Sequence, residues 1–246
     1  MGTTAMSYSA KAEFALAAHC FAATVSSLTC TCSTTVNMTA ISSTGISGLA
    51  VGMLVTGGTG LPPAGTIIAA FVGQNALTLS AASTGAFTAP TFTGDTFKML
   101  LIKSSPAGTY IGSQTNVGTP GSAGSGDHTL TNVGTDEASG TGYTSGGFTL
   151  TNIQPAVGTT AAFWSFTTNP SWTSATLSVS GANIYNATTT PRLGFSANGI
   201  AANSAGSAIN RCISYHDFGG TQSVTAGTLT VVLPANSQGN AILQIS

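Results

Sequence analysis

Apolar and polar positions along this chain alternate with a period of two far more often than they recur at helical spacing. Val36, Met38 and Ala40 alternate with Asn37 and Thr39, and TIIAAFVGQNALTLS predicts two strands about a Gly73–Gln74–Asn75 turn. DTFKMLLIKSS, TAAFWSFTT, ATLSVSGANIYN, NRCISYHDFGG, GTLTVVLPA and AILQIS predict further strands. Each is rich in β-branched or aromatic residues and is bounded by Gly, Pro, Asn or Ser. One segment has the other period. In YSAKAEFALAAHCF, Ala10, Phe14, Ala17 and Phe21 share a helical face behind a Ser9 cap, in an alanine-rich context. The expected fold is all-β: a β-sandwich core with one short N-terminal helix.

Two stretches depart from this pattern. From Lys103 to Phe148 the chain is mostly Gly, Ser and Thr with few core candidates, and it reads as a long surface excursion. Loops of that length are usually functional or held by a neighbour. The other stretch is marked by charge, because none of the eleven charged residues lies between Glu13 and Asp95. Inside that block, GLAVGMLVTGGTGLPPAGTIIAAFVGQNALTLSAAST has turns and strands of its own, which hints at a separate small β module.

Composition changes the picture further. Of 246 residues, 42% are hydrophobic and only 4% charged, against roughly 25% charged in an ordinary globular protein. The formal net charge of −1 offers no footprint for nucleic acid or an anionic membrane. No stretch approaches the ~20 apolar residues of a membrane span. The N-terminus is a poor secretory leader, since Lys11 comes late and Glu13 and His19 interrupt the apolar run. Disordered chains combine low hydrophobicity with high net charge, and this chain has neither, so it should fold. A neutral, hydroxyl-rich surface around an apolar core suits a protein that lives in an assembly, because free monomers usually carry more charge. A secreted extracellular β protein is the alternative.

Candidate chemistry is sparse. Cys20, Cys30, Cys32 and Cys212 do not follow zinc-ligand spacing. On a strand, Cys30 and Cys32 would face the same way with Cα atoms about 6.5–7 Å apart, at or beyond the reach of a disulfide. Buried thiols, a bridge to Cys20, Cys212 or a neighbouring subunit, and a metal site all stay open. His128 follows Asp127 and His216 precedes Asp217, but neighbouring strand residues face opposite ways, so neither pair is a ready acid–base couple. The chain has no G-x-S-x-G elbow, P-loop lysine or paired-carboxylate pattern. Its one acidic doublet, Asp136–Glu137, reads as a solvated turn. Asn37 and Asn186 sit in glycosylation sequons. Trp164 and Trp172 could stack on a sugar, but beside Phe163 and Phe166 they read as core. No catalytic, cofactor-binding or metal-binding residue is nominated.

From Asp95 onward, GDTFKMLLIKSSPAG, DEASGTGYTSGG, NPSWTSATLSVSGANIYN, NRCISYHDFGG and VVLPANSQGNAILQIS follow in order. This order resembles a family of tailed-bacteriophage virion structural proteins, and it covers most of Asp95–Ser246. Two departures stand out. The loop from Ser104 to Asp136 is longer than the family's usual form. In the family, a helix like KAEFALAAHCF also leads almost directly into the DTFK strand, whereas here the uncharged block intervenes. That block, through GMLVTGGTGLPPAGTIIAAFVGQNALTLSAAS, resembles a small β module found in phage virion and adhesin-like proteins. The resemblance implies a discontinuous sandwich domain, residues 1–22 plus 92–246, with residues 23–91 inserted in a loop, where insertions are tolerated.

The implied function is a non-enzymatic virion protein: a capsid decoration (cement) protein on the outer shell, with the major capsid protein and copies of itself as partners and no cofactor. Phe14, Phe21, the N-terminal arm before Ser7 and the loop from Tyr110 to His128 are the expected docking regions. The alternatives are a tail fibre, neck or baseplate component touching tail proteins or a host glycan, and a secreted carbohydrate-binding protein or enzyme.

Overall fold

The computed structural model describes residues 4–6, 19–26, 28–32, 36–39, 48–56, 60, 62–86, 89–110, 114, 116–120, 132–188 and 210–245. Within these the protein is all-β, and every paired strand runs antiparallel to its neighbour. The larger sheet has five strands in the order β1–β13–β12–β8–β9: β1 (Thr4–Met6), β13 (Arg211–Thr230), β12 (Ser171–Asn186), β8 (Phe97–Lys103) and β9 (Phe148–Thr149). A three-stranded sheet, β10 (Ala156–Val157), β11 (Ala162–Trp164) and β14 (Leu243–Ile245), lies across one of its faces. Between them lies the main core, where Phe97, Met99 and Leu101 of β8 meet Trp164, Phe166 and Leu243. The expected helix falls largely on residues outside those described. Its last residues, His19 to Phe21, are not helical.

The middle of β8 reads Met-Leu-Leu-Ile, and all four side chains are fully buried. Alternating residues on a strand face opposite ways, so the sheet must be covered on both sides. Leu100 and Ile102 point away from the main core into another cluster with Tyr110, Val117, Val133, Tyr185 and Cys212. That cover comes from the Gly/Ser/Thr-rich segment after Lys103. The expectation of a surface excursion is therefore corrected: its described parts close the second face of the central sheet.

The segment between the N-terminal stretch and β8 has a hydrophobic cluster of its own, built from Leu28, Met38, Met53, Val55, Ile68, Leu77 and Phe92 among others. Its strands are β2 (Thr31–Cys32), β3 (Asn37–Thr39), β4 (Leu54–Thr56), β5 (Ile68–Phe71), β6 (Leu77–Leu79) and β7 (Thr91–Thr93). They form one sheet in the order β2–β3–β6–β5 and a β4–β7 pair, with no strand shared with the larger sheet. The chain enters and leaves side by side: Val25 bridges Phe92, and the Asp95 amide donates to the Cys20 carbonyl at 2.7 Å.

Two separately predicted strands, NRCISYHDFGG and the first four residues of GTLTVVLPA, join in the single strand β13. Gly219 and Gly220 looked like a terminator. Instead they sit at positive φ in a bulge, where Val179 opposes Gln222 and Gly181 opposes Asp217. The GTGYTSGG stretch is also explained by backbone geometry. Gly147 has φ +75° and presses on the backbone of Met99 and Leu100, where a Cβ would overlap the Met99 carbonyl. Gly147→Ala should lower stability by about 3 kcal/mol, from the left-handed backbone and the overlap together. Gly73 has φ +78° with nothing within 4 Å, so Gly73→Ala should cost only about 1 kcal/mol. Urea midpoints of the two variants measure the difference.

Candidate assembly surface and its internal charges

An irregular cover over a buried sheet face carries backbone amides that no strand can pair. The side chains that satisfy them are the acidic doublet. A short 3₁₀ turn, Gly134–Asp136, sets Asp136 and Glu137 against the central sheet, and the Ala138 amide donates to the Leu101 carbonyl at 2.8 Å. Asp136 is fully buried. Its Oδ1 accepts from the Ala107 amide and Lys103 Nζ, both at 2.9 Å. Its Oδ2 accepts from the Gly108 amide at 2.8 Å and the Tyr110 hydroxyl at 2.7 Å. Burial alone would raise this carboxyl, but the two amides, the Lys103 ammonium and the Tyr110 hydroxyl outweigh it and hold the pKa down at about 2. Burial first, and then Asp136, pushes the Tyr110 phenol well above its usual range, so it stays a donor.

Glu137 does the same work for the following turn. Its carboxylate accepts from the Tyr143 hydroxyl and Ser145 Oγ, each at 2.9 Å, and from the Gly146 amide. Tyr143 in turn accepts from the Leu101 amide at 3.2 Å, and the Tyr185 hydroxyl donates to the Gly146 carbonyl at 2.8 Å. The reading of this doublet as a solvated turn is thus corrected. Both carboxylates are internal staples that accept from the Ala107, Gly108 and Gly146 amides.

A third buried carboxylate ties the two hydrophobic units together. Asp95 Oδ2 accepts from the Cys20 amide at 2.9 Å and Asn186 Nδ2 at 2.7 Å, while Oδ1 accepts from Thr188 Oγ1 at 3.2 Å. Asn186 Nδ2 also lies 2.9 Å from His19 Nδ1, and Asn152 Nδ2 donates to the Asp95 carbonyl at 2.8 Å. The motif residues Asp95 and Asn186, far apart in sequence, therefore share one knot. With Asn186 occupied there, its sequon offers no exposed amide.

These networks leave an unusual exterior. Seven of the chain's charged residues lie among those described: Asp95, Lys98, Lys103, Asp136, Glu137, Arg211 and Asp217. Asp95, Asp136, Glu137 and Arg211 are buried, the other three are half-buried, and none is exposed. Charged residues are normally the last to be buried, so the usual pattern is inverted. Among the described residues the exposed positions carry hydroxyls, amides and apolar groups. Exposed aliphatic and aromatic side chains include Val36, Val51, Phe71 and Val72 on the smaller unit, and Val157, Val232 and Ile245 on the larger.

The expected docking residues fall as follows. Phe14 and His128 lie outside the described residues, as does the arm before Ser7 except for β1. Phe21 is half-buried, stacked on Phe97 at 5.0 Å and packed against Trp164 at 4.1 Å between centroids. Tyr110 is 5% exposed and bonded to Asp136. The Tyr110 ring turns inward to the second sheet face, whereas Phe21 packs on the main core and keeps part of its ring at the surface. Trp164 and Trp172 are 1% and 5% exposed and belong to the core, which removes the sugar platform. Cys20 and Cys212 are buried thiols and Cys30 a half-buried thiol. Cys20 and Cys30 border the smaller core, and Cys212 belongs to the second face of the sheet. Cys32 lies in β2.

Three concavities mark the described surface. A cleft of about 650 Å³ between the two units is lined by threonines (Thr24, Thr56, Thr93, Thr96, Thr149, Thr151) together with Asp95 and Asn152. An apolar groove of about 230 Å³ runs beside Phe21, Phe163 and Leu243. A third, of about 410 Å³, follows β13 from Phe218 to Pro234. His216 lies on that third groove; its Nε2 is 2.9 Å from the buried Ser214 Oγ, and burial lowers its pKa to about 4, which keeps the ring neutral. Asp217, which also lines that groove, accepts from the Gly219 amide at 2.8 Å. Among the described residues there is no group of three or more metal-ligating His, Cys, Asp or Glu side chains.

The Asp136 staple predicts an acid dependence. Its folded pKa lies below the ordinary 3.8, so its contribution is complete above that value and is lost as pH falls toward 2. Wild type should have a clearly higher urea midpoint than Asp136→Asn at pH 7, and the gap should close between pH 4 and 2. A gap independent of pH would show that the carboxylate charge contributes nothing. Compared with family models, with curated proteins and with solved structures, the chain finds no match.

Proposed function

We propose that this chain is a non-enzymatic structural protein of a tailed-phage particle, a decoration protein bound to the outside of the capsid shell. The observation that carries the reading is the inverted charge pattern: none of the seven described charged residues is exposed. Such an exterior is poorly suited to a freely soluble monomer. It is well suited to contacts made by apolar and hydroxyl groups against an equally neutral partner. The order of sequence motifs from Asp95 onward supports the same placement. The partners on this reading are the major capsid protein and further copies of this chain.

Contacts of this kind depend little on ionic strength, because screening acts on charges and none of the described charged residues is exposed. Purified protein mixed with shells lacking it should therefore co-sediment with them and stay bound in about 1 M NaCl, where the Debye length is about 3 Å. Imaging should find it in many copies over the shell rather than in a few at one vertex. Release by that salt would mean that charge holds the complex. Binding confined to the tail would move the protein to the other end of the particle.

A further inference from the structure

We propose that the β13 edge from Thr228 to Val232 pairs with the same edge of a second copy, so that the five-stranded sheet continues across a twofold axis. This rests on the reading above that the chain assembles with copies of itself, and it names the surface used.

β13 is paired with β12 on one side along most of its length. On the other side, β1 covers only Ser214–His216. Beyond that point no described strand meets the outer edge. Bulges interrupt the edge between Asp217 and Gln222 and again near Ala226, which has φ +47°. After Gly227 it becomes regular. Leu229, Val231 and Leu233 are half-buried, whereas Thr228, Thr230 and Val232 are exposed, Val232 by 78%. The alternation runs past the last residue of β13, because Val231 N donates to the Pro170 carbonyl at 3.0 Å and Leu233 N to Asn169 Oδ1 at 2.8 Å. Since the odd residues turn their backbone toward β12, Thr228, Thr230 and Val232 turn theirs outward.

Soluble proteins usually blunt such an edge with lysine, proline or an inward charge. Here no charged residue occurs from Phe218 to the last residue, and the first proline after Gly227 is Pro234. Nothing electrostatic opposes the approach of an identical edge. The register follows from parity. With Thr230 on the axis, Thr230 opposes itself and Thr228 opposes Val232. All are residues with outward backbone groups, so they can form hydrogen-bonded pairs. Leu229 then opposes Val231 on the inner face. A twofold axis perpendicular to the sheet preserves its faces. The half-buried apolar rows of both copies therefore meet and cover the third groove, whose lining includes Phe218, Leu229, Val231 and Leu233.

The test is the mass of the full chain by sedimentation velocity over about 10–100 µM, a range that detects micromolar association. Wild type should be a dimer or a multiple of it. Thr230→Pro removes an outward-facing amide and leaves the β12 ladder intact, and Val232→Lys places a charge beside Thr228 of the other copy. Each should weaken association by roughly tenfold or more with an unchanged urea midpoint. Val157→Lys, on a residue 84% exposed in β10, should leave the mass unchanged. Thr230→Cys should form a covalent dimer on oxidation beyond the wild-type background, since opposed Cα atoms about 5.5 Å apart lie within disulfide reach; Thr228→Cys should not. A wild-type protein that is monomeric throughout overturns the proposal, even if that monomer binds shells. A dimer whose mass neither Thr230→Pro nor Val232→Lys alters also overturns it. A dimer that responds to both variants but ignores shells supports the edge and counts against the shell.

Discussion

The rest of the structure depends on one constraint: the central strand β8 has no face left for water. Met99, Leu100, Leu101 and Ile102 are all fully buried, so the sheet needs a cover on each side. The three-stranded sheet supplies one with regular hydrogen bonding. The other is an irregular segment, and irregular backbone can be buried only if each amide finds an acceptor. Asp136 and Glu137 meet that demand, since an ionised carboxylate accepts several bonds at once and binds donors more strongly than a neutral oxygen. The fold therefore draws Asp136 and Glu137 inward, and the half-buried Lys103 reaches in to pair with Asp136.

The neutral exterior follows from the same constraint. Of the seven charged residues described, Asp95, Asp136, Glu137 and Arg211 lie inside, which leaves three, all half-buried, for the described surface. The inward charges are not isolated, which would be prohibitively costly. Each carboxylate is bonded by several donors, and Arg211 Nη1 donates to the buried Asn116 Oδ1 at 3.0 Å. Asp95 extends the scheme to the join between the two hydrophobic units, where entering and leaving segments lie side by side. Gly94 at that join has no room for a Cβ against the Ala22 carbonyl. The crossing is tight, and a polar side chain rather than a hydrophobic one holds it.

Period-two patterning made the long strands β8 and, apart from its first four residues, β12 legible in the sequence, and the short β11 and β14 also lie within predicted segments. β13 was legible only in halves, because Gly219–Gly220 resembles a stop and a single sequence cannot show that its partner strand tolerates a bulge. The short strands β4, β7, β9 and β10 have two or three residues each, too few for periodicity to register. The inward course of the Gly/Ser/Thr segment was hidden for a physical reason. It contributes Tyr110, Val117 and Val133 to the second face, and these lie too far apart in sequence to form a pattern. One signal did point to it. Four successive apolar residues in β8 have no polar alternation, which is the mark of a strand covered twice.

Several residues of the motifs quoted from Asp95 onward have internal roles. Asp95 and Asn186 knot the join, Glu137 and Tyr143 clamp a turn, Gly147 lets that turn touch the sheet, and Asp217 braces the bulge through the Gly219 amide. Residues of this kind specify a fold, and a fold hosts many functions. The order of motifs thus bears on architecture more directly than on what the protein binds. Recognition has to reside in exposed positions: the β13 edge, the threonine-lined cleft, and the aliphatic groups of the smaller unit. A substitution at one of these internal residues that abolishes assembly would report lost folding, whereas one at Val232 or Phe71 that does so would report a contact.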